Sequence, residues 1–205
     1  MNDMLTYFDE LIPNPRGELN YTKDYELLIA VMLSAQTTDK RVNQVTAILF
    51  KKYPSLISLS EANYEDVVLI IRSLGTYQKK AKNVIEIATR LLPYGIVPND
   101  RTFLESLPGV GRKTANVVLS NLFEVPCIAV DTHVARVSIR LGLAKKTDDV
   151  LTIEKKLTKK FKPEELGRLH HQLLLFGRYY CKAQNPECDT CKLKELCKRG
   201  KNGIK

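Results

Sequence analysis

Apolar residues along this chain recur mostly at intervals of three and four, the period of a helix that buries one face. Leu5, Phe8, Leu11 and Ile12 follow this spacing and predict a helix over Met4 to Ile12, ended by Pro13-Asn14-Pro15-Arg16-Gly17. A second helix is predicted to begin near Tyr25 with Asp24 as its cap. Its middle, Leu27-Leu28-Ile29-Ala30-Val31-Met32-Leu33, is apolar on every side, so this helix is expected to be buried on every side, at the centre of a core. It runs straight into Ser34-Ala35-Gln36-Thr37-Thr38-Asp39. Polar groups leaving a buried helix must find partners or line a cavity. Gln36 therefore either caps the helix end or points at a ligand.

The pattern continues. A helix is expected from Asp39 to Lys52, with Val42, Val45, Ile48 and Leu49 on one face and Pro54 as its stop. Asn63 with Asp66 opens another, which carries Val67, Val68, Ile70, Ile71 and Leu74 and closes at Gly75. Thr76 to Leu92 is amphipathic, with Ala81, Val84, Ile85, Ala88 and Leu91 inward and Lys79, Lys80, Lys82 and Arg90 outward. Pro93, Gly95 and Pro98 break it, and Asp100 opens the next helix. Phe123 to Val130 reads as buried extended linker, because nothing is available to pair with it as a strand. Asp131 caps a helix to about Leu143, and two more follow near Asp149 to Phe161 and Pro163 to Tyr180. The chain reads as all-α, with roughly ten helices, no repeat and no low-complexity segment.

One stretch interrupts the helical pattern with chemistry. Leu107-Pro108-Gly109-Val110-Gly111-Arg112-Lys113-Thr114-Ala115 reads as helix, tight hairpin, helix, over about residues 100–120. Gly109 and Gly111 can adopt positive φ and leave backbone N–H groups uncovered at a helix start, a cradle for a phosphate. Lys113 falls in the first turn of that helix, where the positive helix end and any burial disfavour its charged form. It is either a nucleophilic amine or a phosphate-binding lysine.

Charge and length sharpen this picture. The 205 residues suit one large domain or two small ones that fold without staples. The 32 basic against 23 acidic residues, a net charge of +9, favour a polyanionic partner. No apolar run reaches the roughly 18 residues of a membrane span, and the N-terminus lacks a signal-peptide pattern, so a cytoplasmic protein without membrane contact is expected.

Four of the five cysteines, Cys181, Cys188, Cys191 and Cys197, fall in a C-x6-C-x2-C-x5-C run. Without a secretion signal a disulfide framework is disfavoured, which leaves zinc or an iron–sulfur cluster. Cys127 stands apart and reads as an inert core thiol, and His170 and His171 as packing residues. Beyond Cys191 the chain carries Lys192, Lys194, Lys198, Arg199, Lys201 and Lys205 against Glu195, either a solvated tail or a positive rim for phosphates.

Four segments together resemble the endonuclease III family of DNA glycosylases, in the helix-hairpin-helix superfamily: the hairpin from Leu107 to Val118, Val130-Asp131-Thr132-His133-Val134 with Arg136 and Val137, Leu33 to Asp39, and the cysteine run. The similarity covers nearly the whole chain, in the family's order. It implies a six-helix barrel over 20–123 and a discontinuous cluster domain formed by 1–19 plus 124–205, with a DNA groove between them. It implies a 4Fe-4S cluster on the four cysteines. The activity implied is a bifunctional glycosylase and AP lyase of base excision repair, acting as a monomer on double-stranded DNA that contains an oxidised pyrimidine or an abasic site.

By the same resemblance Lys113 is the Schiff-base nucleophile and Asp131 its carboxylate partner. Gln36 fills the gap left by the extruded base, and Gly109, Val110, Gly111 and Arg112 hold the backbone, with Lys79, Lys80 and Lys82 as further candidate phosphate contacts or simply a solvated face. Thr76 and Tyr77 belong to a second intercalating loop, where the family commonly has a leucine in place of Thr76; Tyr77 then takes over part of the stacking. The first cluster loop, Lys182 to Glu187, has no net charge here, where relatives are commonly basic, so the DNA contact is expected from Lys192 to Lys201. Three alternatives stand beside this reading: a mismatch-type glycosylase of the same superfamily, argued against by Lys113 and the stop at Lys205; a non-catalytic iron–sulfur DNA-binding module; and a zinc-bound nucleic-acid adaptor.

Overall fold

The computed structural model describes residues 2–198, so Arg199, Lys201 and Lys205 of the basic tail lie outside the described residues. Among the described residues there are eleven α-helices and no strand. They are α1 (Asn2–Leu11), α2 (Asp24–Leu33), α3 (Asp39–Lys52), α4 (Leu56–Ser60), α5 (Tyr64–Ile71), α6 (Tyr77–Leu91), α7 (Arg101–Ser106), α8 (Arg112–Phe123), α9 (Thr132–Arg140), α10 (Val150–Lys160) and α11 (Pro163–Leu175). A π-helical turn, Phe176–Tyr180, continues α11. None of these helices is long and apolar enough to cross a membrane.

The chain divides into two compact units, one formed by 18–123 and the other by 1–17 with 124–205. In the first, α2 is the axis and packs on α3, α6 and α8. Every residue from Tyr25 to Leu33 is buried, as an all-round apolar helix requires. Its start differs from the expectation, because Asp24 is already helical. The capping work falls to Glu26, whose carboxylate accepts from the Thr22 and Lys23 backbone N–H groups at 2.7 and 3.2 Å. Asp24 instead accepts from the Val97 N–H at 2.6 Å and fastens a distant loop. Asn63 and Asp100 do cap α5 and α7, accepting from the N–H groups of Asp66 and Phe103 at 3.1 Å each.

Two local expectations fail in this unit. Helix α5 stops at Ile71, four residues before Gly75, so that glycine closes no helix. Helix α4 has only five residues, too few to show a period in the sequence.

The second unit is built on Met4, Phe8, Ile128, Val130, Val134, Val137, Ile153, Leu157, Leu169, Leu173 and Phe176. Residues 127–130 are buried and lie outside any helix or strand. Helix α9 ends at Arg140 rather than near Leu143, and the π-helical turn occupies the end of the segment read as one helix to Tyr180.

Candidate nucleic-acid site and cysteine recess

The unit 18–123 displays three turns made from the singled-out residues. The first leaves α2. Ser34 closes the helix through its N–H to the Ala30 carbonyl at 2.9 Å, and Gln36 then takes φ +57°, a left-handed conformation uncommon for a side-chain-bearing residue. Gln36 is exposed at the apex. The second precedes α6, where Thr76 also stands left-handed, at φ +55°, with its hydroxyl donating to the Gly75 carbonyl at 2.7 Å. Thr76 is exposed and Tyr77, the first residue of α6, is half-buried.

The third turn is the hairpin between α7 and α8. Gly109 adopts φ +77°. Gly111 does not, so only one of the two glycines uses the left-handed region. Val110 is buried and its N–H donates to the Leu107 carbonyl at 3.1 Å. That N–H closes the hairpin turn. Gly109 and Gly111 lead directly into the first turn of α8, which begins at Arg112. Arg112 and Lys113 lie in that turn, exposed.

The buried lysine lies elsewhere. Lys80 is only 4% exposed, and its ammonium donates to the Ala35 carbonyl at 2.8 Å and approaches the Thr37 hydroxyl at 3.4 Å. Burial pushes its pKa below the usual lysine value. Lys80 is thus neither an outward residue nor a phosphate contact. The signal was present in the sequence, since Lys80 stands at helical spacing from Val84, Ile87 and Leu91. Asn83, one turn on, is also buried, and its amide nitrogen lies 2.5 Å from where a Cβ on Gly109 would be. Lys79 and Lys82 are exposed, as a solvated face requires.

The second unit holds Asp131 and the cysteines. Asp131 is half-buried and caps α9, its Oδ1 accepting from the His133 and Val134 N–H groups at 2.9 Å each. These bonds fix the direction of the carboxylate. Further along α9, Arg136 donates to the Gly177 carbonyl at 2.6 Å and the Cys181 carbonyl at 3.1 Å. It answers carbonyls at the two ends of the π-helical turn, and burial and then neighbouring Arg140 lower its pKa.

Arg140 donates to the Cys181 sulfur at 3.2 Å and to the Lys182 carbonyl at 2.7 Å. The sequence reading missed Arg140, whose only signal is its place one turn beyond Arg136. Cys181, Cys188, Cys191 and Cys197 line one recess with Arg140, Leu141, Phe176 and Tyr180, partly open to solvent. Burial pushes the Cys191 thiol up, and the other three cysteines push it the same way. Among the described residues no group of three or more His, Cys, Asp or Glu side chains is arranged to hold a metal ion.

Lys192 forms an ion pair with Glu10 at 2.7 Å, which binds it to α1. The rings of His170 and His171 pack at 4.8 Å in α11, and Cys127 is buried.

Residues 29–163 match the family model described as the HhH-GPD superfamily base excision DNA repair protein. The chain is 47% identical to endonuclease III of Bacillus subtilis over 93% of its length and 88% of that protein's. It is 45% identical to endonuclease III of Escherichia coli K12 over 95% of its length and 93% of that protein's. The fold matches that of a trapped endonuclease III–DNA covalent intermediate with a TM-score of 0.92 and 45% identity, over 100% of this chain and 99% of the other. A thermostable thymine-DNA glycosylase matches with a TM-score of 0.83 but 20% identity, a likeness of fold alone.

Proposed function

The chain belongs to the HhH-GPD superfamily of base excision DNA repair proteins, and on that basis we propose that it is a bifunctional DNA glycosylase and AP lyase acting as a monomer on double-stranded DNA. Its substrates are oxidised pyrimidines and the abasic sites left by their removal. It works in the cytoplasm, on the nucleoid. The observation that carries the reading is the likeness, along the full chain, to an endonuclease III caught in covalent attachment to DNA. A covalent adduct requires a nucleophile, and this chain presents an amine, Lys113, in the first turn of α8 immediately after the Gly109 turn.

In this reading the α8 N-terminus and the backbone at Gly109 and Gly111 hold a phosphate beside the lesion, with Arg112 as a further contact. The Lys113 amine attacks C1′, and the bond to the damaged base breaks with the electron pair leaving on the base. Ring opening gives a Schiff base between Nζ and C1′. The iminium acidifies the 2′ proton, its loss expels the 3′ phosphate by β-elimination, and water then hydrolyses the imine to free Lys113. Asp131, directed by the α9 N–H groups, stabilises the positive charge that develops on the sugar and assists proton transfer. Gln36 occupies the space left in the duplex, and the Thr76–Tyr77 turn supports the distortion.

The cysteine recess is assigned to a 4Fe-4S cluster held by Cys181, Cys188, Cys191 and Cys197. The donor set fits. All four cysteines line one recess with Leu141, Phe176 and Tyr180, and Arg140 donates to the Cys181 sulfur. A polynuclear cluster takes one thiolate per iron around a wide body, so it does not need three donors gathered on a single ion. When bound it supplies a structural crosslink of the C-terminal loop. Arg136 and Arg140 tie that loop to the helix that carries Asp131.

Borohydride added during reaction on a duplex with an abasic site should trap the chain on DNA. Lys113→Gln should abolish trapping and lower excision by about a thousandfold or more. Undiminished trapping in that variant overturns the assignment.

A further inference from the structure

Two turns of the unit 18–123 carry exposed residues in the left-handed region, Gln36 after α2 and Thr76 before α6. They are 40 positions apart in the chain, yet one residue holds both. The backbone N–H of Lys80 donates to the Thr76 carbonyl at 3.0 Å. Its ammonium donates to the Ala35 carbonyl at 2.8 Å and approaches the Thr37 hydroxyl at 3.4 Å, so it grips the residues on either side of Gln36. The side chain is almost wholly buried. An apolar residue of the same length would sit in that position without the desolvation penalty of an ammonium. What the ammonium adds is directional: it fixes a carbonyl in a turn whose conformation is unfavourable for glutamine.

We propose that Lys80 is a positioning residue that locks the Gln36 turn to the Thr76 turn, so that both enter the duplex as one preset wedge. The proposal rests on the reading of Gln36 and of the Thr76–Tyr77 turn as the groups that occupy the opened duplex. Lys80 touches neither base nor sugar. It lowers the work of extrusion by ordering both turns before DNA arrives. The step that depends on it is the opening of a paired nucleotide. Strand cleavage at a preformed abasic site, which has no base to extrude, depends on it less.

The test compares two rates in the same full-length protein. One is base excision from a duplex with thymine glycol paired to adenine. The other is strand cleavage at a preformed abasic site. Borohydride trapping counts the competent molecules, so any unfolded fraction drops out. Lys80→Met keeps the stem and removes the ammonium. The ratio of excision to cleavage should fall about tenfold. It should recover when the lesion faces a mismatched base that stacks poorly, because less opening is then required. A merely structural lysine would lower both rates together, and that result, or an unchanged ratio, overturns the proposal. Gln36→Ala separates it from the reading beneath it. If Gln36→Ala leaves the ratio unchanged, Gln36 is not a wedge. If Gln36→Ala lowers the ratio and Lys80→Met does not, the wedge stands and the lock alone fails.

Discussion

Gly109 is the residue at which backbone and side-chain packing meet most tightly. Its φ of +77° belongs to a region that residues with a Cβ rarely enter, and a Cβ there would lie 2.5 Å from the Asn83 amide nitrogen and 3.2 Å from Met32. Gly109→Ala should therefore combine backbone strain with a clash against buried groups and destabilise the fold by about 2–3 kcal/mol. A urea unfolding curve checks this as a lowered midpoint. Thr76 and Gln36 hold comparable conformations without being glycine; the first backbone bond of α6, from the Lys80 N–H, follows Thr76, and the Lys80 ammonium reaches the Gln36 turn at the Ala35 carbonyl. Much at this scale was legible in the chain. Asp131, Asp100 and Asn63 could be read as caps because a cap and the N–H groups it answers are two or three residues apart. The burial of Lys80 was legible from its spacing to Val84, Ile87 and Leu91, but its acceptor, Ala35, is 45 residues away and no local pattern announces such a partner.

At the scale of elements, legibility followed length and uniformity. Helix α2 could be placed at the centre from its apolar run alone. Helix α4 was too short to register, and the π-helical turn was invisible because five residues are too few to show a period of their own. Helix α11, which leads into that turn, also carries His171. Burial holds the His171 imidazole below its usual 6.5. The unfolded chain then binds more protons than the folded one between that lowered value and 6.5. Stability is therefore full above 6.5 and is lost as pH falls through this window. Denaturant unfolding above and below pH 6.5 should show a midpoint that drops on acidification, and His171→Gln should drop less. Equal drops would mean that this ring does not contribute.

At the scale of the whole molecule, the net charge of +9 and the four-cysteine recess are the features on which the proposed partners rest. The position of the thiols along the chain was legible, but their convergence with Arg140 and Phe176 was not, since it requires α9 and the end of α11 to meet the same loop. Protein purified without oxidation should be brown, with iron and inorganic sulfide in equal molar amounts. Removing the iron with a chelator should bleach it and lower the melting temperature, because the recess would lose its crosslink. Stoichiometric zinc in colourless protein would reject the cluster assignment.

The discontinuity of the second unit bears on how the chain comes into being. Helix α1 places Phe8 against Phe176, with ring centroids 5.1 Å apart, and both belong to one core. During synthesis Phe8 leaves the ribosome long before Phe176 does. The unit 18–123 is continuous in the chain, so all of it is synthesised before the second part of the other unit. Throughout that interval Met4 and Phe8 have no native surface to cover them. The nascent chain therefore carries the apolar face of α1 uncovered until the residues from Ile128 to Phe176 that share its core have been made, and over that interval α1 is suited to chaperone capture.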